Sequence, residues 1–297
     1  MDKHETAYPE VLILCVNYAT DDQTATFVRA AADCPQRPEH ITVISNSPEE
    51  KAGTLSSLVT IDGVRVIFPT TNLGYFGGAT FGLKEYLLAR PLPEWVIVSN
   101  ADIVFHDPYF FEKLKDCYSA ATLPAVIAPD ILADHFVYLS DSPKHQNPYM
   151  RNRPSAAKMR ASYFISRHHV MYVCYEFLTK IKNTLRNALI QLFFRERDEP
   201  QAAPEPIYAP FGAFIILHRS YFEHGGNLDH GCFLYGEEIF VAESVRRMNL
   251  KIVYDQRLGV THRHLGAASL VPSKSRSRFA MDAARYLVNT FFSEKRI

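Results

Sequence analysis

The sequence predicts an α/β protein with a mostly parallel, doubly wound central sheet and a helical insertion. Short unbroken apolar runs recur along the first hundred residues, each ends in a polar cluster, and helix-forming stretches separate several of them. Unbroken apolar runs are how strands buried on both faces read, and their alternation with helices is the pattern of a sheet covered on both sides. In such sheets ligands bind beyond the carboxyl ends of the strands, so the polar clusters mark the edge where a site is expected.

Residues 11–17 (VLILCVN) form the first run. A helix follows to Ala32, with Thr20 and Asp22 available as N-caps and with Thr24, Phe27, Val28 and Ala31 on one face. Apolar runs at 41–44 and 64–68 stop at Ser45-Asn46-Ser47-Pro48 and at Pro69-Thr70-Thr71-Asn72. Residues 74–82 (GYFGGATFG) make a glycine-rich turn that opens a helix, and residues 95–99 (WVIVS) are a fourth strand, ending at Asn100-Ala101-Asp102. From 135 to 206 the pattern changes to a polar, proline-bearing stretch and then a long helix over about 170–194. In it Cys174, Phe177, Leu178, Ile181, Leu185, Ala188, Leu189 and Leu192 share one face. The α/β pattern resumes at 207, with a strand at 213–217, a helix at 239–248 and a strand at 251–254 followed by a connecting loop. The chain thus divides into residues 1–134, an inserted segment at 135–206, and residues 207–297, which close with a helix.

A chain of 297 residues, nearly half of them apolar, is enough for a full core. Equal numbers of acidic and basic residues create no global field for nucleic acid, which is therefore not expected as a partner. Cys15, Cys34, Cys117, Cys174 and Cys232 are scattered without a C-x-x-C pair, the pattern of reduced thiols rather than of a disulfide framework or a zinc site. The polar start, residues 1–10, and the lack of about twenty successive uncharged apolar residues predict a cytoplasmic protein without a membrane span. Local charge differs from the average: between Arg151 and Arg197, ten basic residues stand against two acidic ones. With the apolar helix face, this predicts either a segment lying on an anionic membrane surface, peripheral to the bilayer, or a helix packed on its own domain or on a second subunit of a homo-oligomer.

Three clusters can carry chemistry. A carboxylate placed directly after a buried strand, as in Asn100-Ala101-Asp102, can hold Mg²⁺ or Mn²⁺ against a diphosphate, since these ions take one or two protein ligands and fill the rest with water and phosphate. The same tripeptide is also a common Asx turn. Glu237 and Glu238, following Phe233-Leu234-Tyr235-Gly236 at a helix start, are either carboxylates favoured by the helix dipole or a general base whose proton affinity is raised in a dry cleft. In Thr261-His262-Arg263-His264, His262 is a candidate Mn²⁺ ligand and Arg263 offers a planar fork to phosphate. The run SKSRSR at 273–278 reads as a solvated loop or as a lid over a diphosphate.

Taken in order, these segments resemble the family 2 glycosyltransferases, particularly the rhamnosyltransferase-like members of polysaccharide pathways. The family's opening strand is similar to residues 11–18, its glycine element to Asn72-Leu73-Gly74-Tyr75-Phe76-Gly77-Gly78-Ala79, and its Asn-x-Asp element to Asn100-Ala101-Asp102. Its later block is similar to Phe211-Gly212-Ala213-Phe214, Gly225-Gly226-Asn227-Leu228-Asp229 and Phe233-Leu234-Tyr235-Gly236-Glu237-Glu238, with Arg246 or Arg247 at its arginine. Its closing histidine element is similar to residues 262–269.

The resemblance implies a GT-A nucleotide-diphospho-sugar transferase fold, with 1–134 as the nucleotide-sugar half and 207–297 as the acceptor and catalytic half. It implies a donor held by Asn17, Ser45, Asn46, Asn72, Gly74, Tyr75, Gly77, Gly78, Asn100, Asp102 and Arg263, and a divalent cation, Mg²⁺ or Mn²⁺, on Asp102 and His262. It further implies an inverting transfer to a glycan or lipid-linked acceptor, with Glu238, beside Glu237, as the base. Two departures stand out. The family's Asp-Asn-x-Ser is here Ser45-Asn46-Ser47, and its Glu-Asp-x-Asp is Glu237-Glu238-Ile239-Phe240. They motivate the alternative of a degenerate transferase fold that binds a nucleotide sugar or a partner without turnover.

Overall fold

The computed structural model describes residues 10–47, 53–117, 123–133, 144–193, 203–263 and 271–293. The first half contains β1 (Val11–Asn17), α1 (Asp21–Ala32), β2 (His40–Ser45), β3 (Val64–Ile67), α2 (Tyr75–Leu87), β4 (Trp95–Asn100), β5 (Ile103–Phe105), α3 (Phe110–Cys117) and β6 (Val126–Ala133). Then come β7 (Lys144–His145), α4 (Ala156–Arg167), α5 (His169–Phe193), β8 (Glu205–Ile207), β9 (Phe214–His218), α6 (Arg219–Glu223), α7 (Glu237–Arg247), β10 (Ile252–His262) and α8 (Ser273–Leu287). Residues 264–269 of the closing element, and residues 135–143 and 194–202 of the inserted segment, lie outside the described residues.

The strands form one sheet in the order β3-β2-β1-β4-β9-β6-β10-β5, with β7 added on β6 and β8 on β10. β3, β2, β1 and β4 run parallel, β9 enters antiparallel between β4 and β6, β10 runs parallel to β6, and β5 closes the edge antiparallel to β10. Six of the eight strands on this path therefore point the same way. The register pairs Asn17 with Ser45 and Val16 with Asn100, which brings the ends of β1, β2 and β4 together at one edge.

Both faces of the sheet are buried, as unbroken apolar runs require. Val11, Ile13 and Cys15 of β1, Trp95 and Ile97 of β4, and Phe214 and Ile216 of β9 point into one core with α1 and α3. The intervening Leu12, Leu14, Val96, Val98, Ile215 and Leu217 point into a second core with α2 and α7. The period-2 alternation of a strand distributes one run between two helical layers.

Several expectations change in detail. Thr20 occupies the N-cap position of α1, but its hydroxyl donates to Asn17 Oδ1 at 2.7 Å and caps nothing. The strand expected at 251–254, with a connecting loop after it, is one strand from Ile252 to His262; an irregularity between Asp255 and Gly259 absorbs the misfit with β6. The basic run at 273–278 is not a solvated loop: it forms the first turns of α8. Within the inserted segment the sequence reading gives only the second helix. The first, α4, starts at Ser155, whose side chain accepts the Lys158 amide at 3.2 Å, and it packs Met159 into the core against α8. Arg153 ties the segment to α7 through the buried Glu243 carboxylate, at 2.6 and 3.1 Å.

Candidate active site

A cavity of about 940 Å³ opens beyond the ends of β1 and β4, where a doubly wound sheet places its ligands. Among the described residues, its ionisable acid and base walls are Asp102, Glu176, Glu237, Glu238, His262 and Arg276.

Asp102 sits in the turn between β4 and β5, and β5 pairs with β10 so that His262 lies opposite Ile103. That register brings two residues far apart in sequence together: His262 Nε2 is 3.2 Å from Asp102 Oδ1, and both side chains are buried. The Arg263 amide donates to the Asp102 carbonyl at 2.9 Å and fixes the turn. On its other side, the His262 ring pairs Nδ1 with Gln146 Oε1 at 3.1 Å, which orients the ring so that Nε2 faces the carboxylate. An imidazole nitrogen and a carboxylate oxygen sharing one space at a cavity wall fit Mn²⁺ or Mg²⁺, and two protein ligands leave positions for phosphate and water. The charge of the cavity fits as well. Four carboxyl groups and one guanidinium would repel a diphosphate unless a cation accompanies it.

Glu237 and Glu238 begin α7, after Tyr235 (φ 72°) and Gly236 (φ 88°) reverse the chain. A non-glycine residue in left-handed backbone is strained, and two of the four described here, Ala19 and Tyr235, line the cavity. Burial, then the charge of Glu238, pushes the Glu237 carboxyl up to about 8, against hydrogen bonds from the backbone of Glu237 and Tyr235. Burial also raises Glu238, against backbone hydrogen bonds from its own residue and Gly212. Gly212 is what admits this carboxylate: a Cβ there would stand 2.8 Å from Glu238 Oε1. The Tyr75 hydroxyl donates to the Gly212 carbonyl at 2.8 Å, and burial followed by the Glu237 charge raises its phenol well above the ordinary value. The helix dipole and the general-base environment therefore coexist at this pair.

Of the residues expected to hold a donor, Asn17, Asn46, Asn72, Gly74, Tyr75, Asn100 and Asp102 line the cavity, whereas Ser45, Gly77, Gly78 and Arg263 are not among its lining residues. The placement has physical causes. Ser45 is buried beneath Asn17 and Ser47, at 3.3 and 3.4 Å. Gly78 packs α2 closely on the sheet, where a Cβ would meet Val16 Cγ1 at 3.1 Å. Arg263 contributes its amide, and its side chain is exposed.

Much of Asn17 is committed to structure, since its Oδ1 receives Thr20 N–H, Thr20 Oγ1 and Thr24 Oγ1. Asn46 likewise receives the Leu73 amide at 3.0 Å and donates to the Gly74 carbonyl at 2.9 Å, which pins the loop that opens α2. Gly74 itself has φ 74° and ψ −161°, a region open almost only to glycine, and an added Cβ would fall 1.9 Å from the Phe233 carbonyl oxygen. Gly74→Ala is expected to destabilise the fold by about 2–3 kcal/mol, read as a lowered denaturant midpoint at unchanged slope.

Three wall or supporting residues escaped the sequence reading. Gln146 gave no signal. Glu176, on α5, and Arg276, on α8, meet across the cavity at 3.3 Å, and only the excess of basic residues at 273–278 pointed towards Arg276. The Arg276 side chain is 28% exposed, so its guanidinium is within reach of the cavity.

No family model matches the sequence, and no curated protein matches it. Among solved structures the chain is similar to GalNAc-T7 with UDP, GalNAc and Mn²⁺, at a TM-score of 0.57 and 12% identity, over 95% of this chain and 48% of that one. It is also similar to the mannosyltransferase PcManGT from Pyrobaculum calidifontis in complex with GDP-Man and Mn²⁺, at TM-score 0.48 and 11% identity over 96% of this chain and 71% of that one. A mycobacterial protein gives 0.48 and 11% over 93% of this chain and 74% of that one. The chain spans about half the length of the GalNAc-T7 chain. The likeness to GalNAc-T7 shows the fold: this is the GT-A nucleotide-diphospho-sugar transferase fold, with the mostly parallel sheet expected from the sequence.

Proposed function

We propose that the chain is an inverting glycosyltransferase that moves a sugar from a nucleotide-diphospho-sugar to a hydroxyl of a glycan or lipid-linked acceptor. The observation that carries this reading is the pairing, around one cavity, of the Asp102–His262 couple with a carboxyl pair of raised proton affinity. The first suits a diphosphate leaving group and the second an attacking hydroxyl. The resemblance to family 2, and within it to rhamnosyltransferase-like enzymes of O-antigen or capsule pathways, supports reading the donor as hexosyl or deoxyhexosyl, 1–134 as the donor side and 207–297 as the acceptor side.

Asp102 and His262 would hold a divalent cation, which when bound neutralises the diphosphate and helps it leave. Arg276 offers its guanidinium to the same phosphates. Glu238 takes the proton of the acceptor hydroxyl on a carboxylate oxygen while the new bond to the anomeric carbon forms and the bond to the diphosphate oxygen breaks. A single displacement of this kind inverts the anomeric centre. Burial raises the proton affinity of both carboxyls, and the charge of Glu238 raises that of Glu237 further.

The test incubates the protein with UDP-, GDP- and dTDP-sugars and Mn²⁺, Mg²⁺ or chelator, and measures released nucleoside diphosphate. Release from one donor that chelator abolishes is expected, and NMR of the product assigns the anomeric outcome. No release from any donor, together with no thermal shift on adding nucleotide, would replace this reading by binding without turnover, the reading that Ser45 and Phe240 motivate.

A further inference from the structure

Helix α5 has its polar side towards the protein and its apolar side towards solvent. Tyr172, Glu176 and Thr179 are partly covered, whereas Val170, Phe177 and Leu178 are 74%, 63% and 63% exposed, and Met171, Val173, Tyr175 and Ile181 are exposed too. The apolar face is thus not packed on its own domain over these residues. Phe164, on the adjoining α4, is exposed as well. A soluble surface helix ordinarily buries this stripe, and a contiguous exposed one marks a surface that something else covers.

The charges around the stripe indicate what covers it. Lys158, Arg160 and Arg167 of α4 and Lys182 of α5 are exposed. The single acid in the two helices, Glu176, is turned inward to Arg276. We propose that α4 and α5 dock on an anionic lipid surface, with the apolar side chains at the headgroup–acyl boundary and the cations against acidic headgroups. A second copy placed on the same face would set cations against cations, which disfavours it. The consequence for the site is geometric. Because α5 also walls the cavity through Glu176, docking would hold the cavity roughly 10 Å, about one helix diameter, from the headgroups, where the end of a lipid-linked acceptor lies.

Docking requires no catalysis, so it is tested separately from the transfer reaction. The full chain is floated with vesicles of phosphatidylcholine alone and of phosphatidylcholine mixed with phosphatidylglycerol, at low and high salt. Binding to the mixed vesicles at low salt is expected. Each of Arg160→Gln and Arg167→Gln should weaken it by about fivefold, and Phe177→Ser/Leu178→Ser should weaken it by at least about tenfold, with an unchanged circular-dichroism melt. Absence of binding to the mixed vesicles at low salt overturns the proposal. So does equal binding to both vesicle types, or a dimer in sedimentation that the serine double variant dissociates while vesicles bind nothing.

Discussion

Glu238→Gln is expected to lower kcat by about 10²–10⁴-fold while donor affinity and fold stay intact. The substitution keeps the shape of a side chain that Gly212 makes room for, and removes only the ability to take a proton. Donor binding by calorimetry, next to steady-state rates, separates the two effects. A kcat within tenfold of the parent would take the base role from Glu238. The pH profile adds a second reading of the same pair. A base that must be deprotonated gives a rate that rises with pH through the pair's titration, and the two carboxyls titrate together.

Glu237 is the carboxyl that the charge of Glu238 raises, so Glu237→Gln leaves Glu238 as a single titrating group, and the rate should rise through one titration in place of the pair's two, whereas a glutamate uncoupled from Glu238 would leave the profile unchanged. The sign for stability follows from the same shift. A carboxyl raised to about 8 in the folded state favours folding fully below its unfolded value and loses that contribution as pH rises through 8. Glu237→Gln is therefore expected to raise Tm by a few degrees at pH 9 and much less at pH 5, the pattern of a residue held at a cost in stability for its chemistry.

The residues that announce the fold are those whose environment is local. In β1 and β4 the apolar side chains face one or other of two cores, so the strand shows as an unbroken apolar run and its end as the first polar residue. β6 was illegible because its sequence, VIAPDILA, carries a proline and an acid; Pro129 stands next to the irregular stretch of its ladder with β10, where a missing N–H is tolerated. β5 is only three residues long and exists as the partner of β10. The site divides in the same way. Asp102, Glu237 and Glu238 could be picked out because each follows a strand end or opens a helix, whereas the closeness of Asp102 to His262 depends on the β5–β10 register, and Gln146 comes from the inserted segment. The motif residues Gly77, Gly78 and Ser45 carry a different signal, that of close packing behind the cavity wall.

Asp102→Ala is expected to reduce metal-dependent donor turnover by about 10³-fold or more, the several kcal/mol that charge neutralisation at a leaving diphosphate contributes. Truncation leaves the backbone arrangement in place, because the Arg263 amide bonds the Asp102 carbonyl rather than its side chain. The loss should therefore appear in cation binding before it appears in folding. Titration with Mn²⁺, followed by electron paramagnetic resonance, should show binding that Asp102→Ala abolishes. Gln146→Leu should weaken it by about 10–100-fold, because Gln146 holds the His262 ring through Nδ1 and leaves Nε2 to face the carboxylate. A glutamine with only a packing role would leave Mn²⁺ affinity unchanged, and an alanine variant that bound Mn²⁺ and released nucleotide like the parent would move the leaving-group side of the reaction away from Asp102. If both variants lose the ion in the expected order, the β5–β10 register is what assembles the cation site, and the length of β10 carries functional information that no single motif in the sequence contains.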